Sequence, residues 1–172
     1  MIAYKDLQAE EIQSFWDFLN KLDNETHFMM YEPDERKKCT NSKELREDIE
    51  NHVIGGGDFL QIAEEDGKIV GYIRAERGRF QRIFHTAYIV VGILKGYQKK
   101  GIGTTFFEHI SRWAEKNGVV RLELTVECDN ETAIHLYKRN GFQIEGIREK
   151  AMFVHGKFVD EYYMAKIFEK CL

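Results

Sequence analysis

The sequence has little proline, little cysteine and no long apolar run. Its only proline, Pro33, lies in the charged stretch 23–40, which predicts a long connection. The three cysteines, Cys39, Cys128 and Cys171, are scattered without a metal-ligand spacing, which argues against a disulfide framework and against a metal site. No apolar run approaches the length of a membrane span, and no signal peptide opens the chain. We therefore expect reduced thiols, no membrane partner and a cytoplasmic location.

An excess of positive charge is also missing. Lysine and arginine number 25 against 29 acidic residues, so the formal net charge is -4. This balance argues against a general nucleic-acid-binding protein, although a local basic patch is still allowed. Hydrophobic residues make up 43% of the chain and aromatic residues 13%, enough to build a core. We expect one domain over residues 1–172.

The most informative segment is a strand, a turn and a helix. Residues 87–94 are apolar and β-branched, typical of a buried strand, and residues 106–114 have the apolar spacing of an amphipathic helix. Between them, the turn 98–103 carries two lysines and two glycines. Glycines allow close approach of a ligand to the backbone, and the first N–H groups of a helix attract negative charge. The turn therefore predicts a binding site for a phosphate-bearing molecule.

The rest of the chain predicts a mixed α/β fold. Asp66-Gly67 predicts a hairpin turn between two strands, and a second hairpin is expected at residues 155–157. Residues 11–22 have the spacing of an amphipathic helix, and Asn41 followed by Glu44 predicts a helix start. The strand–helix–strand unit predicts a parallel pair, and the hairpins predict antiparallel neighbours. The fold class is a central mixed, mostly antiparallel sheet with flanking helices.

Two motifs together resemble a known family. They are Q-x-x-G-x-G at 98–103 and N-x-x-A-x-x-L-Y-x-x-x-G-F at 130–142, each after a predicted strand. This combination resembles the GNAT superfamily of acyl-CoA N-acyltransferases. The segments L-E-L-T-V at 122–126 and G-K-F-x-D at 156–160 are most similar to its ribosomal-protein and polyamine acetyltransferase subgroup. The motifs cover the C-terminal half, and the order of elements matches over the whole chain.

The resemblance implies the fold and the cofactor. In the family two parallel strands splay apart, and acetyl-CoA enters the gap with its pantetheine arm paired to exposed backbone. Because the pyrophosphate would lie on the turn before the helix, the cofactor-binding residues would be Val91, Ile93, Gln98, Lys99, Lys100, Gly101, Ile102, Gly103, Thr104, Asn130, Ala133 and Lys138.

The resemblance also implies the catalytic groups. Tyr137 occupies the position of the tyrosine that protonates the departing CoA thiolate. Many relatives have a glutamate that acts as the general base. It lies at the position of Ala87 or Tyr88 of this chain, or at the position of Thr125. Glu127, on the polar face of the same strand, is the nearest carboxylate and our candidate base. His85 and a water relay are the alternatives.

The acceptor expected from the resemblance is a primary amine, either a small molecule or a protein N-terminus. Acidic residues of the connection would attract a cation, and aromatic residues would wall its apolar part. These residues are Asp23, Glu25, Glu32, Asp34 and Glu35, with Phe28, Tyr31, Tyr162 and Tyr163. We expect direct attack in a ternary complex, no nucleic acid partner, and we allow for a homodimer.

Two other interpretations compete with this one. Gly101 and Gly103 also begin a dinucleotide fingerprint, but Phe106 stands where its third glycine belongs, which argues against a nicotinamide dehydrogenase. A non-catalytic acyl-CoA-binding module of the same fold stays open because the usual base is missing.

Overall fold

The computed structural model describes residues 1–169, so Cys171 lies outside the described part. Five helices are α1 (Ile12–Glu25), α2 (Arg36–Cys39), α3 (Ser42–Asp48), α4 (Ile102–Lys116) and α5 (Glu131–Arg139). Seven strands are β1 (Ala3–Asp6), β2 (Phe59–Glu65), β3 (Lys68–Arg77), β4 (Thr86–Ile93), β5 (Arg121–Glu127), β6 (Gln143–Val154) and β7 (Lys157–Ile167). Within the described residues, no helix is both long and apolar enough to cross a membrane.

The strands form one sheet in the order β1-β2-β3-β4-β5-β7-β6. The β1–β2, β2–β3, β5–β7 and β6–β7 pairs are antiparallel, and β4 and β5 are parallel. The parallel ladder joins Thr86–Tyr88 to Arg121–Glu123, although the two strands continue to Ile93 and Glu127. The predicted mixed sheet with one parallel pair is confirmed.

The chain forms two compact units. The first comprises Met1–Glu76 and Val90–Phe106, and the second comprises Arg77–Ile89 with the described residues from 107 to 169.

In the first unit, α1 packs its apolar face on the sheet. Phe15 and Phe18 meet the ring of Tyr72 edge to face, with ring centroids 5.3 and 5.9 Å apart. Leu22 lies over Gly92 of β4, where a Cβ would stand 2.4 Å from Leu22 Cδ2. A side chain at residue 92 would force the buried Leu22 side chain to move, which explains the glycine within this strand.

The connection between α1 and α3 contains a helix that the sequence did not predict. The helix α2 has only four residues, and its Arg36 donates hydrogen bonds of 2.6 and 3.1 Å to the Asp23 carboxylate. Asn41 caps α3 as predicted, because its side chain accepts hydrogen bonds from the N–H groups of Lys43 and Glu44. A π-helical segment, Ile49–Ile54, continues α3.

In the second unit, α5 packs through an aromatic cluster. The Tyr137 and Phe142 rings lie 5.5 and 5.4 Å from the Phe107 ring, centroid to centroid, and both contacts are edge to face. On β5, the alternate residues Leu122, Leu124 and Val126 are buried, so the intervening polar residues share the opposite face.

Candidate active site

The turn before α4 has the backbone of an anion site. Lys99 and Gly101 have positive φ angles of 59° and 84°, and such left-handed residues in a tight turn direct neighbouring N–H groups to one side. Thr105 N–H donates to Gly101 O over 3.1 Å, as the first hydrogen bond within α4. The N–H groups of residues 102–104 therefore precede the helical ladder, where the helix dipole favours an anion.

Side chains add positive charge to this turn. Lys99 and Lys100 are exposed, and the Lys100 ammonium lies 4.6 Å from the centroid of the Tyr97 ring. Ile102 is buried and anchors the start of α4, followed by Gly103, also buried, and Thr104, which is half-buried. The turn thus combines a fixed backbone with two cationic side chains, as a phosphate site requires.

Gln98 shapes the turn. Its Nε2 donates a 3.2 Å hydrogen bond to the carbonyl oxygen of Ile93, at the end of β4. Val91 and Ile93 are both half-buried on this strand. Because Gln98 closes the turn onto Ile93, a direct contact of its amide with a cofactor stays a prediction.

The same turn is tied to α1. The Glu25 carboxylate accepts a 2.8 Å hydrogen bond from the N–H group of Lys95. Lys21 Nζ lies 3.9 Å from the other oxygen of Glu25. Lys95 lies just before the turn 98–103, so Glu25 helps to hold the approach to this turn, which argues against its expected role in attracting an amine.

Two more acidic residues of the connection have structural partners. Asp23 is 1% exposed and pairs with Arg36, which argues against its expected role in attracting a cationic acceptor. The carboxylate of Glu35 accepts a 2.8 Å hydrogen bond from Glu32 N–H. These two contacts could not be predicted from the sequence, because each depends on how the connection folds.

Asn130 begins α5. Its side-chain oxygen accepts a 3.2 Å hydrogen bond from the N–H group of Ala133, which makes it the N-cap of the helix. The side-chain NH₂ group has no partner among the described residues, so it can still donate to a ligand. Lys138, in the last turn of α5, is exposed. Contacts of these three residues with a cofactor stay predictions.

Tyr137 is held by packing. It is 8% exposed, and its ring contacts Phe107 and Phe142. Burial raises the pKa of its hydroxyl well above the ordinary value, with a further contribution from Tyr88. The hydroxyl makes no hydrogen bond to any residue in the described part of the chain. Tyr137 therefore remains protonated at neutral pH, with a free donor.

Glu127 is a buried carboxylate at the end of β5. It is 3% exposed, and no N–H or hydroxyl group within residues 1–169 donates to either carboxylate oxygen. Burial is the main cause that raises its pKa to about 7. The negative charges of Asp129 and Glu161, and a hydrogen bond between the protonated carboxyl and Asp129, add to it. The cross-strand neighbour Glu161 is itself paired with Arg148 Nη1 over 3.1 Å. A carboxylate with this pKa exchanges protons near neutral pH.

A cluster around Arg121 was not predicted. Its Nε donates to Glu123 over 2.5 Å, and Nη2 and Nη1 donate to Glu145 over 2.5 and 3.1 Å. Arg121 and Glu123 alternate with apolar residues of β5, so the sequence could have indicated that both lie on the polar face of this strand. Glu145 comes close to them only because the strands pair, which the sequence does not indicate.

The chain belongs to the acetyltransferase (GNAT) family. The family model with that description matches residues 14–142. This match confirms the family inferred from the two motifs.

Three relatives carry N-acetyltransferase names with different acceptors. The chain is 33% identical over 110 residues to the L-amino acid N-acetyltransferase AaaT of Escherichia coli, covering 62% of this chain and 66% of the relative. It is 35% identical over 120 residues to the N-alpha-acetyltransferase RimI of Mycobacterium tuberculosis, covering 67% and 66%. It is 25% identical over 162 residues to the spermidine N(1)-acetyltransferase of Escherichia coli, covering 91% and 81%. The chain thus spans slightly less than two thirds of the first two, and the names agree with the expected subgroup.

A solved structure confirms the fold. The structure of yncA from Salmonella typhimurium with its cofactor acetyl-CoA matches with a TM-score of 0.85 at 16% identity, covering 100% of this chain and 96% of that one.

Proposed function

We propose that this chain is an acetyl-CoA-dependent N-acetyltransferase that acts on a primary amine by direct attack. The observation that supports this most is Glu127, a buried carboxylate with a pKa of about 7 to which no N–H or hydroxyl group of the described residues donates. It lies on the strand that leads into Asn130 and α5, the helix that carries Tyr137.

Glu127 acts as the general base. An alkylammonium has a pKa of about 10.4, so proton transfer to a carboxylate of pKa about 7 is uphill by about 4 to 5 kcal/mol, against about 8 for an ordinary glutamate. The raised pKa therefore removes a large part of the cost of generating the free amine. Once neutral, the nitrogen attacks the thioester carbonyl carbon.

Tyr137 acts as the general acid. The tetrahedral intermediate collapses as the carbon–sulfur bond breaks, and the Tyr137 hydroxyl gives its proton to the thiolate of CoA. The attacking nitrogen loses its extra proton to solvent, which leaves a neutral amide. Its hydroxyl is protonated at neutral pH and has no competing acceptor in the described residues. Solvent returns the proton to Tyr137, and Glu127 releases its own to solvent.

The turn before α4 holds the pyrophosphate of acetyl-CoA. Its support is the backbone geometry at Lys99 and Gly101, the N–H groups of residues 102–104 and the two lysines. Anion binding at a helix N-terminus contributes about 0.3 to 2 kcal/mol, and the mobile lysines add a salt-dependent part. The N–H and C=O groups of Val91 and Ile93 at the end of β4 are the candidates to pair with pantetheine.

The acceptor is a primary amine, either a small molecule or a protein N-terminus. The three relatives are named for amino acids, N-alpha amines and spermidine, which are all amines. A cytoplasmic location stays a prediction from the sequence.

The test is release of free thiol from acetyl-CoA with and without a panel of amines, together with mass spectrometry of the amine product. We expect thiol release that depends on the amine, and stabilisation by about 2.7 kcal/mol at acetyl-CoA concentrations near 100 times Kd. Stabilisation by acetyl-CoA without turnover of any amine would contradict the enzymatic function and support a binding module.

A further inference from the structure

The second unit contains a cavity of about 340 Å³ that sequence analysis did not identify. Its lining includes Tyr88, Arg121, Glu123, Glu145 and Tyr163. The volume is at the lower end of the range for small-molecule sites. Exposed tyrosine side chains, 38% for Tyr88 and 47% for Tyr163, form part of its wall.

The charges in the cavity favour a cation. Arg121 directs its Nε and both terminal nitrogens at Glu123 and Glu145, so one guanidinium faces two carboxylates. The set carries one net negative charge. The faces of tyrosine rings attract ammonium groups, whereas the two carboxylates would repel an anion. The arginine also holds both carboxylates in place, so a cation would meet a fixed site.

The cavity lies on the same face of the sheet as Glu127. Side chains alternate along a strand, so Glu123, Thr125 and Glu127 share one face of β5. Tyr163 is the cross-strand partner of Thr125, and the Tyr88 hydroxyl hydrogen-bonds Thr125 Oγ1 at 2.8 Å. The cavity and the buried carboxylate are therefore at two ends of one polar strip.

The separation between these two ends follows from strand geometry. Because a strand rises about 3.3 Å per residue, the four residues from Glu123 to Glu127 cover about 13 Å. A linear chain of about eight to ten methylenes spans that length.

We propose that this cavity binds a second ammonium group of the acceptor, so that the preferred acceptor is a linear diamine or polyamine. The inference rests on the proposed function, since Glu127 must receive the proton of the reacting amine. One nitrogen lies at Glu127, and the second lies between the tyrosines beside Glu123 and Glu145.

The experiment compares linear α,ω-diamines of about four to ten methylenes with monoamines of the same length. We expect kcat/KM to rise with diamine length and to exceed the matched monoamine by about ten-fold at the longest spacings. Glu123→Gln should bring kcat/KM for the diamine down to the value for the matched monoamine in the same variant. Glu149→Gln, an exposed residue of β6 outside the cavity, is the matched control and should keep the advantage.

A second variant and a binding measurement guard against misfolding. Tyr163→Leu keeps an apolar side chain at a half-exposed position and should lower the diamine advantage without changing Tm. Calorimetry of 1,8-diaminooctane binding, without acetyl-CoA, measures affinity independently of turnover and should show weaker binding in Glu123→Gln.

The two proposals fail in different ways. Equal kcat/KM for diamines and monoamines of every length would overturn the cavity assignment while the acetyltransferase stands. Absence of acetylation of all amines, with diamine binding that still depends on Glu123, would overturn the acetyltransferase and retain the cavity. Diamine binding equal in wild type and Glu123→Gln would overturn the cavity assignment directly.

Discussion

The Tyr88 hydroxyl oxygen on β4 lies 2.8 Å from Thr125 Oγ1 on β5, and the two side chains share one hydrogen bond. These residues occupy positions at which the family resemblance places a carboxylate base. The protein has a neutral hydrogen bond there. Glu127, two residues after Thr125 on the same face of β5, is the buried carboxylate of this strip. Glu127 is therefore the carboxylate on which the proposed catalysis depends, and its ionisation affects stability as well as rate.

Glu127→Gln should stabilise the protein at alkaline pH. Burial raises the pKa of Glu127 from an ordinary 4.5 to about 7, so the folded state holds a proton more tightly than the unfolded state. The stability from this group is present below pH 4.5 and is lost as pH rises to about 7. Glutamine does not ionise, so the gain of the variant over wild type in the free energy of unfolding should be up to about 3 kcal/mol larger at about pH 8 than at pH 4.

Denaturant unfolding of wild type and variant across this pH range measures the effect. Glu149→Gln is the control, because residue 149 is exposed. Parallel pH curves for wild type and Glu127→Gln would show that the Glu127 carboxyl ionises normally.

Tyr137→Phe should reduce turnover without changing the fold. The ring contacts with Phe107 and Phe142 do not involve the hydroxyl, so Tm and the acetyl-CoA Kd should be close to wild type. Loss of the proton donor should lower kcat by about 10²-fold. Steady-state kinetics with a saturating amine measures this effect. A variant with the kcat of wild type would contradict Tyr137 as the general acid, and the rate would then come from the orientation of the reactants.

Lys99→Asn should weaken acetyl-CoA binding and reduce its salt dependence. Asparagine tolerates the positive φ of residue 99, so the variant removes the charge and keeps the turn. We expect Kd to rise several-fold at low salt and to differ less at high salt. Lys116→Gln is the control, because it removes one positive charge at the other end of α4 and should leave Kd unchanged. Equal changes in Kd for the two variants would mean that net charge, and not a contact at residue 99, determines the affinity.

Gly92→Ala should destabilise the first unit through overpacking. A Cβ at residue 92 would stand 2.4 Å from Leu22 Cδ2, so we expect a loss of about 1 to 3 kcal/mol in the free energy of unfolding. In a Leu22→Ala background the same substitution should cost less, because the clashing methyl is gone. An additive double-mutant cycle would mean that Leu22 is not the neighbour that excludes a side chain.

Local chemistry made the hairpins and caps predictable. Asp66 and Gly67 have φ angles of 51° and 74°, the left-handed pair that a two-residue hairpin turn requires. Asn41 caps α3 through contacts with residues two and three positions ahead. Such features depend on neighbours in the sequence, so the sequence alone is enough to predict them.

Features made by distant residues were not predictable. The helix α2 is four residues long, too short for a periodic pattern, and the Arg36–Asp23 pair supports it. The pKa of Glu127 depends on burial and on Glu161 across the strand pair. The alternation of apolar and polar residues along β5 predicted that Glu127 lies on the polar face, but it did not predict that Glu127 is buried.

The pH dependence of kcat/KM in wild type and in Glu127→Gln decides whether Glu127 is the general base. For an alkylamine acceptor, we expect a wild-type profile that rises with a midpoint near the Glu127 pKa of about 7 and then reaches a plateau. The variant should have lower kcat/KM at neutral pH and should continue to rise toward the amine pKa of about 10.4, because only the free amine from solution can react. The same rising limb near pH 7 in both proteins would contradict Glu127 as the general base.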